Sequence, residues 1–161
     1  MASEAEPAAP PPDREPQPGP RALQEIDVES CRRLLASVRF GRVAVVDDDD
    51  RPLIVVLNHA VDGHDVLFRT TEDSRLARLT HDGAVPAAFE VDATFPMEHS
   101  GWSVIATGSL LREGHPARWA RARAKIRTWA AGERDVVLRL EVDGLTGRRI
   151  RPAGAVIDAG L

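Results

Sequence analysis

Cysteine is almost absent from this chain: Cys31 stands alone among 161 residues. One thiol closes no disulfide within the chain and builds no cysteine-ligated zinc cluster, which fits a reducing cytoplasm. Lysine is as scarce, since nearly all of the 21 basic residues are arginine, and that bias carries no functional message. Long apolar runs are missing too. No stretch approaches the roughly 20 residues of a membrane span, and the N-terminus lacks the apolar centre of a secretory signal, so a soluble cytoplasmic protein is expected. Positive charge is not in excess: the net charge of -4 and a pI near 5.7 deny a nucleic-acid backbone the basic face it needs. No P-loop and no nucleophile-elbow serine occur, which sets NTPase and hydrolase chemistry aside. The histidines His59, His64, His81, His99 and His115 are scattered. His59 and His64 could approach across the Asp62-Gly63 turn, but a third metal ligand is lacking, and no metal site is assigned.

What is present fits one domain with a real core. Residues 1–22 are rich in proline, alanine and acid and read as a disordered tail, so the folded domain is expected over 23–161. Asp27 can cap a short helix whose Cys31, Leu34, Leu35 and Val38 share one face, with Gly41 ending that region. Cys31 is therefore a core residue. Strands follow at 42–47 and 52–59, joined by an acidic turn. Its four aspartates lack the alternating ligands, glycine and distal glutamate of a calcium loop. Asp62-Gly63 is a hairpin signal leading to a third strand, 65–71. After a short helix, 74–80, a strand begins at Val85 that alternates through Phe89, a core residue. A loop, 93–101, precedes a long strand, 102–111, with Gly108 as a bulge or bend.

Residues 116–129 are helical, with Trp119, Ala122, Ile126 and Trp129 on one side. Arg118, Arg121 and Arg127 lie off that side and read as a solvated face. Val136, Leu138, Leu140 and Val142 alternate in the last strand, which a turn at Asp143-Gly144 closes before the basic segment 147–151. About six antiparallel strands with three short helices predict a mainly β, α+β fold built as a small closed or split barrel.

The most informative stretch is 65–79, DVLFRTTEDSRLARL. A strand ends there over a helix start capped by Ser74. Unpaired N–H groups of the first turn, hydroxyls of Thr70 and Ser74, and the charges of Arg69 and Arg75 could all meet one anion, a phosphate-binding arrangement. The same residues also read as an ordinary capped junction whose arginines pair with Glu72 and Asp73.

The order of segments resembles the pyridoxamine 5'-phosphate oxidase-like family of FMN-binding split barrels, in its small actinobacterial branch. The matching segments are FGRVAVV from Phe40, RPLIVVLNHAVDG from Arg51, VLFRTTEDSRLARL from Val66, AAFEVD from Ala87 and GWSVIATGSL from Gly101. The resemblance implies FMN, with its phosphate at Arg69, Thr70, Ser74 and Arg75 and its ring along Val56, Leu57 and Asn58. Trp102 and Ser103 would reach a flavin held mainly by the partner subunit, which implies a homodimer. A flavin-dependent oxidoreductase acting on a small molecule or a reduced cofactor is the function implied. The deazaflavin F420 in the same groove and a non-catalytic flavin-binding or dimerisation module are the alternatives. Leu76 stands where the oxidases carry a phosphate-binding lysine. The ending RIRPAGAVIDAGL also lacks their substrate-phosphate segment, so vitamin B6 oxidation is not expected. Glu90 is expected to pair with a basic residue in the barrel or to act in catalysis.

Overall fold

The computed structural model describes residues 22–127 and 134–151. Residues 1–21 of the expected tail and Trp129 lie outside them, and Ala22, the last residue of that expected tail, begins the first strand. The elements are β1 (Ala22–Ile26), α1 (Val28–Ser37), β2 (Phe40–Val46), β3 (Pro52–Asp62), β4 (Asp65–Thr70), α2 (Arg75–Leu79), β5 (Val85–Phe95), a 3-10 turn (Pro96–Glu98), β6 (Ser100–Arg112), α3 (Pro116–Lys125) and β7 (Val136–Arg151). All pairings are antiparallel, in the order β1-β7-β4-β3-β2-β5-β6, and β6 also pairs with β7 and closes the barrel. Closure removes the exposed edges of a six-stranded sheet, and β1 adds to the one half of β7 that β4 leaves uncovered.

Four expectations are corrected. There are seven strands, because residues 22–26 pair with the end of β7 instead of leading directly into α1. No turn occurs at Asp143-Gly144. The strand runs through to Arg151, and Asp143 is the extra residue of a bulge, with Thr107 opposite Gly144 and Gly108 opposite Val142. Gly108 permits the close approach: a Cβ there would lie 1.9 Å from the Glu141 carbonyl oxygen. Third, Gly41 does not end the first helix. α1 stops at Ser37, where Val38 turns extended (φ -102°, ψ 164°), and Gly41 sits within β2. The expected loop 93–101 is also mostly strand, shortened to the turn around Pro96–Glu98.

Inward-facing side chains of every barrel strand meet in one core, with Val43, Phe68, Phe89, Val91, Val104, Leu110, Leu138 and Leu140 all buried. The Phe68 and Phe89 rings meet edge to face at 4.9 Å. Burial of such side chains stabilises by about 1.5–3 kcal/mol each. α1 closes one end of the barrel, its start fixed by the Asp27 carboxylate, which accepts the Ser30 N–H at 2.8 Å. Its Cys31 and Leu35 point into the core, as the periodicity requires. α3 covers the outside of β4. Leu67 and Val137 are buried beneath Ala122 and Ile126, so β4 is apolar on both faces and its sequence reads as a run.

α3 is anchored by charge. Arg121 holds the Asp62 carboxylate with two bonds of 2.8 and 3.0 Å, and Arg118 lies 3.4 Å from Glu113 and 3.6 Å from both Asp62 and Asp65. Arg121 and Arg127 are exposed and Arg118 partly so, in keeping with the solvated face expected for them, and across it Arg118 and Arg121 pair with Asp62, Asp65 and Glu113. The other outer face, across β3, β2, β5 and β6, has no helix over it among the described residues. Rows across it read Val56, Arg42, Glu90, Ile105 and Ile54, Ala44, Ala88, Thr107. Ile54 and Val56 are 65% and 61% exposed.

Candidate cofactor cleft

β3 and β4 part company along their length. Their ladder runs from Asp62 opposite Asp65 to His59 opposite Phe68 and stops there. β3 stays paired with β2 down to Pro52, while β4 stays paired with β7 up to Thr70. Over residues 52–58 the β3 edge that faces away from β2 has no strand partner among the described residues, so its N–H and C=O groups are presented to the split. Val56, Leu57 and Asn58 form one lip. Arg69 and Thr70 form the other, and α2 follows at one end.

The strand pleat sends the residues of this second lip in different directions. Thr70 points inward with Val66 and Phe68 and is buried. Arg69 points outward toward the exit of α3, where it donates to the Arg134 carbonyl at 2.9 and 3.1 Å and to that of Ile126 at 3.4 Å. Desolvation pulls its pKa below the usual arginine value. Ser74 caps α2, its hydroxyl accepting the Ala77 N–H at 3.1 Å. Arg75 donates to Asp47 Oδ2 at 2.6 Å. That carboxylate also closes the acidic turn by accepting the N–H groups of Arg51 and Asp49 at 2.9 and 3.0 Å, and these bonds hold its pKa below the ordinary carboxylate range. The four residues expected to share a phosphate therefore border one end of the split, but each already has a protein partner or lies inside the barrel. Leu76 is buried in the core.

Trp102 and Ser103 begin β6 on the far side of the barrel. Ser103 lies on the outer face between Asp92 and Arg148, and Trp102 packs against the core on the inner face. Within a single chain they do not meet the β3 lip. Glu90 pairs with Arg42 at 2.9 Å, as expected of it, and Asp92 pairs with the same guanidinium at 2.6 Å. Cys31 is fully buried with its S–H donating to the Ile26 carbonyl at 3.5 Å, and burial pushes its thiol up, which suits a core residue and no nucleophile. Among the described residues no group of three or more His, Cys, Asp or Glu could hold a metal ion. No helix of the described residues is long and apolar enough to cross a membrane.

Beyond Asn58 the split opens into a groove of about 780 Å³ between the end of α1, the outside of β3 and the last turn of α3. Arg39, Asn58, His59, Ala60, Lys125 and Arg127 line it. His59 is 6% exposed, with Nε2 2.9 Å from the Leu35 carbonyl, its ring edge to face with Phe89 at 4.8 Å, and no hydrogen-bond partner at Nδ1. Burial pulls its pKa below the ordinary value, with the Leu35 bond opposing. Sequence reasoning missed this groove because its residues come from three elements far apart in the chain. The one available signal was the basic end of α3.

A closed antiparallel barrel, split between its second and third barrel strands and stoppered by a short helix, is the architecture of the flavin-binding split barrels. The chain belongs to the pyridoxamine 5'-phosphate oxidase family, whose model matches residues 27–149. The uncharacterized protein Rv0080 of Mycobacterium tuberculosis is 34% identical over 133 residues, spanning 81% of this chain and 87% of that protein. The FAD binding protein of Mycobacterium smegmatis superposes with a TM-score of 0.65 at 29% identity, covering 79% of this chain and 98% of the other. A FAD-binding protein of Mesorhizobium loti matches in fold with a TM-score of 0.69 at 17% identity, over 81% and 98% of the two chains.

Proposed function

We propose that this protein binds a flavin in the split between β3 and β4 and is a flavin-dependent oxidoreductase. The observation that carries the proposal is the end of the β3–β4 ladder at His59 and Phe68, which leaves a backbone edge and an exposed apolar Val56 along one cleft. A flavin ring needs both: an apolar strip for its faces, and N–H and C=O groups for its polar rim. FMN is the proposed flavin, with FAD suggested by the names of the M. smegmatis and M. loti proteins and F420 as the deazaflavin alternative. A bound flavin supplies the redox chemistry. The chain's own part is to orient it, to neutralise its phosphate at the Thr70, Ser74 and Arg75 end, and to shape the space beside it.

The proposed assembly is a homodimer through the uncovered sheet face, where Ile54, Val56 and Ile105 are exposed on one surface. A partner there would bring a second Ser103 to the cleft, with Trp102 packed behind it on the inner face of β6. A second function, flavin binding without turnover, is favoured by Leu76, which leaves the phosphate end one cation short. Titration with FMN tests the proposal. Arg75→Ala should weaken binding roughly tenfold while the fold is retained, and unchanged affinity would overturn the placement. Steady-state oxidation of a reduced nicotinamide cofactor by the loaded protein separates an oxidoreductase from a binding module.

A further inference from the structure

We infer that Arg32 and His64 form a pH-sensitive strap that holds α1 over the end of the barrel, closed while the His64 imidazole is neutral and opened when it takes up a proton. The strap needs no flavin to work.

His64 stands exposed in the turn between β3 and β4, and its Nδ1 meets the guanidinium of Arg32 from the middle of α1. Arginine is always charged and offers no acceptor, so this contact is a hydrogen bond only while Nδ1 keeps its lone pair and His64 is neutral. A proton at Nδ1 sets two donors and two positive charges against each other. The other charges around the turn do not relieve this. Asp62 is held by both arms of Arg121 and lies 3.6 Å from Arg118, with Lys125 helping to keep its pKa low. Asp65 pairs with Arg139 at 3.1 Å and lies 3.6 Å from Arg118. On α1, Glu29 lies 3.8 Å from Arg33. β7 presents only the uncharged Val142 and Leu145 here.

Beneath the strap lies a cavity of about 250 Å³ between α1, the β3–β4 turn and β7, lined by Arg32, Leu35, Val61, His64, Val142 and Leu145. Atoms beside a void lack partners on one side, so α1 packs loosely there and the strap is the bond that crosses the gap. Elsewhere the helix is well fixed. Asp27 caps its start, the Leu35 carbonyl meets His59 Nε2 at 2.9 Å near its end, and Cys31 and Leu35 lie in the core. Release of the strap therefore loosens α1 on one side without unfolding the barrel, a local opening that needs far less free energy than global unfolding. Cys31, next to Arg32 and fully buried, is the core group that such an opening uncovers.

Cys31 is the chain's one thiol, so its labelling by the disulfide reagent dithiodipyridine in the full-length protein reads the opening directly. Each rate is divided by that of the same protein unfolded in urea at the same pH, which removes the titration of the thiol itself. The proteins compared are wild type, His64→Gln and Arg32→Gln; neither position is buried, so both variants should fold. From about pH 7.5 to about pH 5, where imidazoles take up a proton, the wild-type ratio should rise roughly three- to fivefold more than that of His64→Gln, whose amide oxygen accepts from Arg32 and does not titrate. Arg32→Gln should start at the raised ratio and climb no more than His64→Gln. His59 is present in all three, so its own titration cancels from the comparison. The same pH profile in wild type and His64→Gln would overturn the strap, and so would an Arg32→Gln profile that matches wild type. Labelling that accelerates with urea as steeply as global unfolding would overturn it too, because the whole barrel rather than α1 would then be opening.

Discussion

Inside the barrel mouth, the His59 imidazole sits among Phe68, Phe89 and α1 with one ring nitrogen unpartnered. Its folded pKa lies below the ordinary value near 6.5, chiefly from burial, so the folded state binds this proton less readily than the unfolded chain. Its contribution to stability is complete above pH 6.5 and falls as pH drops below that value. The urea midpoint should decline between pH 7 and pH 5, and His59→Phe should reduce the decline. A variant as pH-sensitive as wild type over that range would contradict it. Glu113 is the opposite case. Its side chain is 5% exposed, and burial would raise its pKa, but the His115 N–H, Arg118 and Arg139 together hold it low. Glu113→Gln leaves Arg139 with Asp65 and Glu141 only, and should cost about 2 kcal/mol in a urea titration. Alternation and periodicity identified Phe89 and Cys31 as core. Asp47 beside Arg75, and Asp62 beside Arg118 and Arg121, were not legible as partners, because each lies 28 or more residues away in sequence and is chosen by the fold.

The middle of β7 turns on one contact. Gly108 lets the Glu141 backbone pass at a distance that no side chain permits, and Asp143 is expelled into a bulge where the Thr107 hydroxyl donates to its carboxylate at 3.2 Å. Gly108→Ala should destabilise by about 2–3 kcal/mol, read as a lower urea midpoint, because strand backbone rather than a flexible side chain must move. A shift under 0.5 kcal/mol would contradict the bulge. Bulges explain why this element was misread. An Asp-Gly pair signals a turn by its local preferences, and only the neighbouring strand reveals that the chain continues. β1 escaped notice for a related reason: the five residues ALQEI carry no period, and their strand conformation comes from β7. α1, α2, the Asp62-Gly63 hairpin and the bulge at Gly108 were legible, since caps and glycines act within a few residues.

Over the whole molecule, one side of the barrel is covered by α3, and the other, with no described helix over it, exposes Ile54, Val56 and Ile105 around the Arg42, Glu90 and Asp92 pairs. Burying Ile54, Val56 and Ile105 against a second copy is the proposed use of that face, and Ile54→Glu should convert a dimer to a monomer in analytical ultracentrifugation. A monomeric wild type would contradict it. The barrel was readable from strand spacing, and the split from the resemblance. The groove at its end was not, because Arg39, Asn58 and Lys125 meet only after closure. The central claim is that this cleft holds a flavin. An absorption spectrum of the purified protein, bare and after incubation with FMN, FAD or F420, with mass spectrometry of anything released on denaturation, tests it most directly. One flavin per chain, its visible bands shifted from those of the free compound, is the predicted result. A folded protein whose spectrum is unchanged by micromolar FMN, FAD or F420, and which releases none of them, would contradict it.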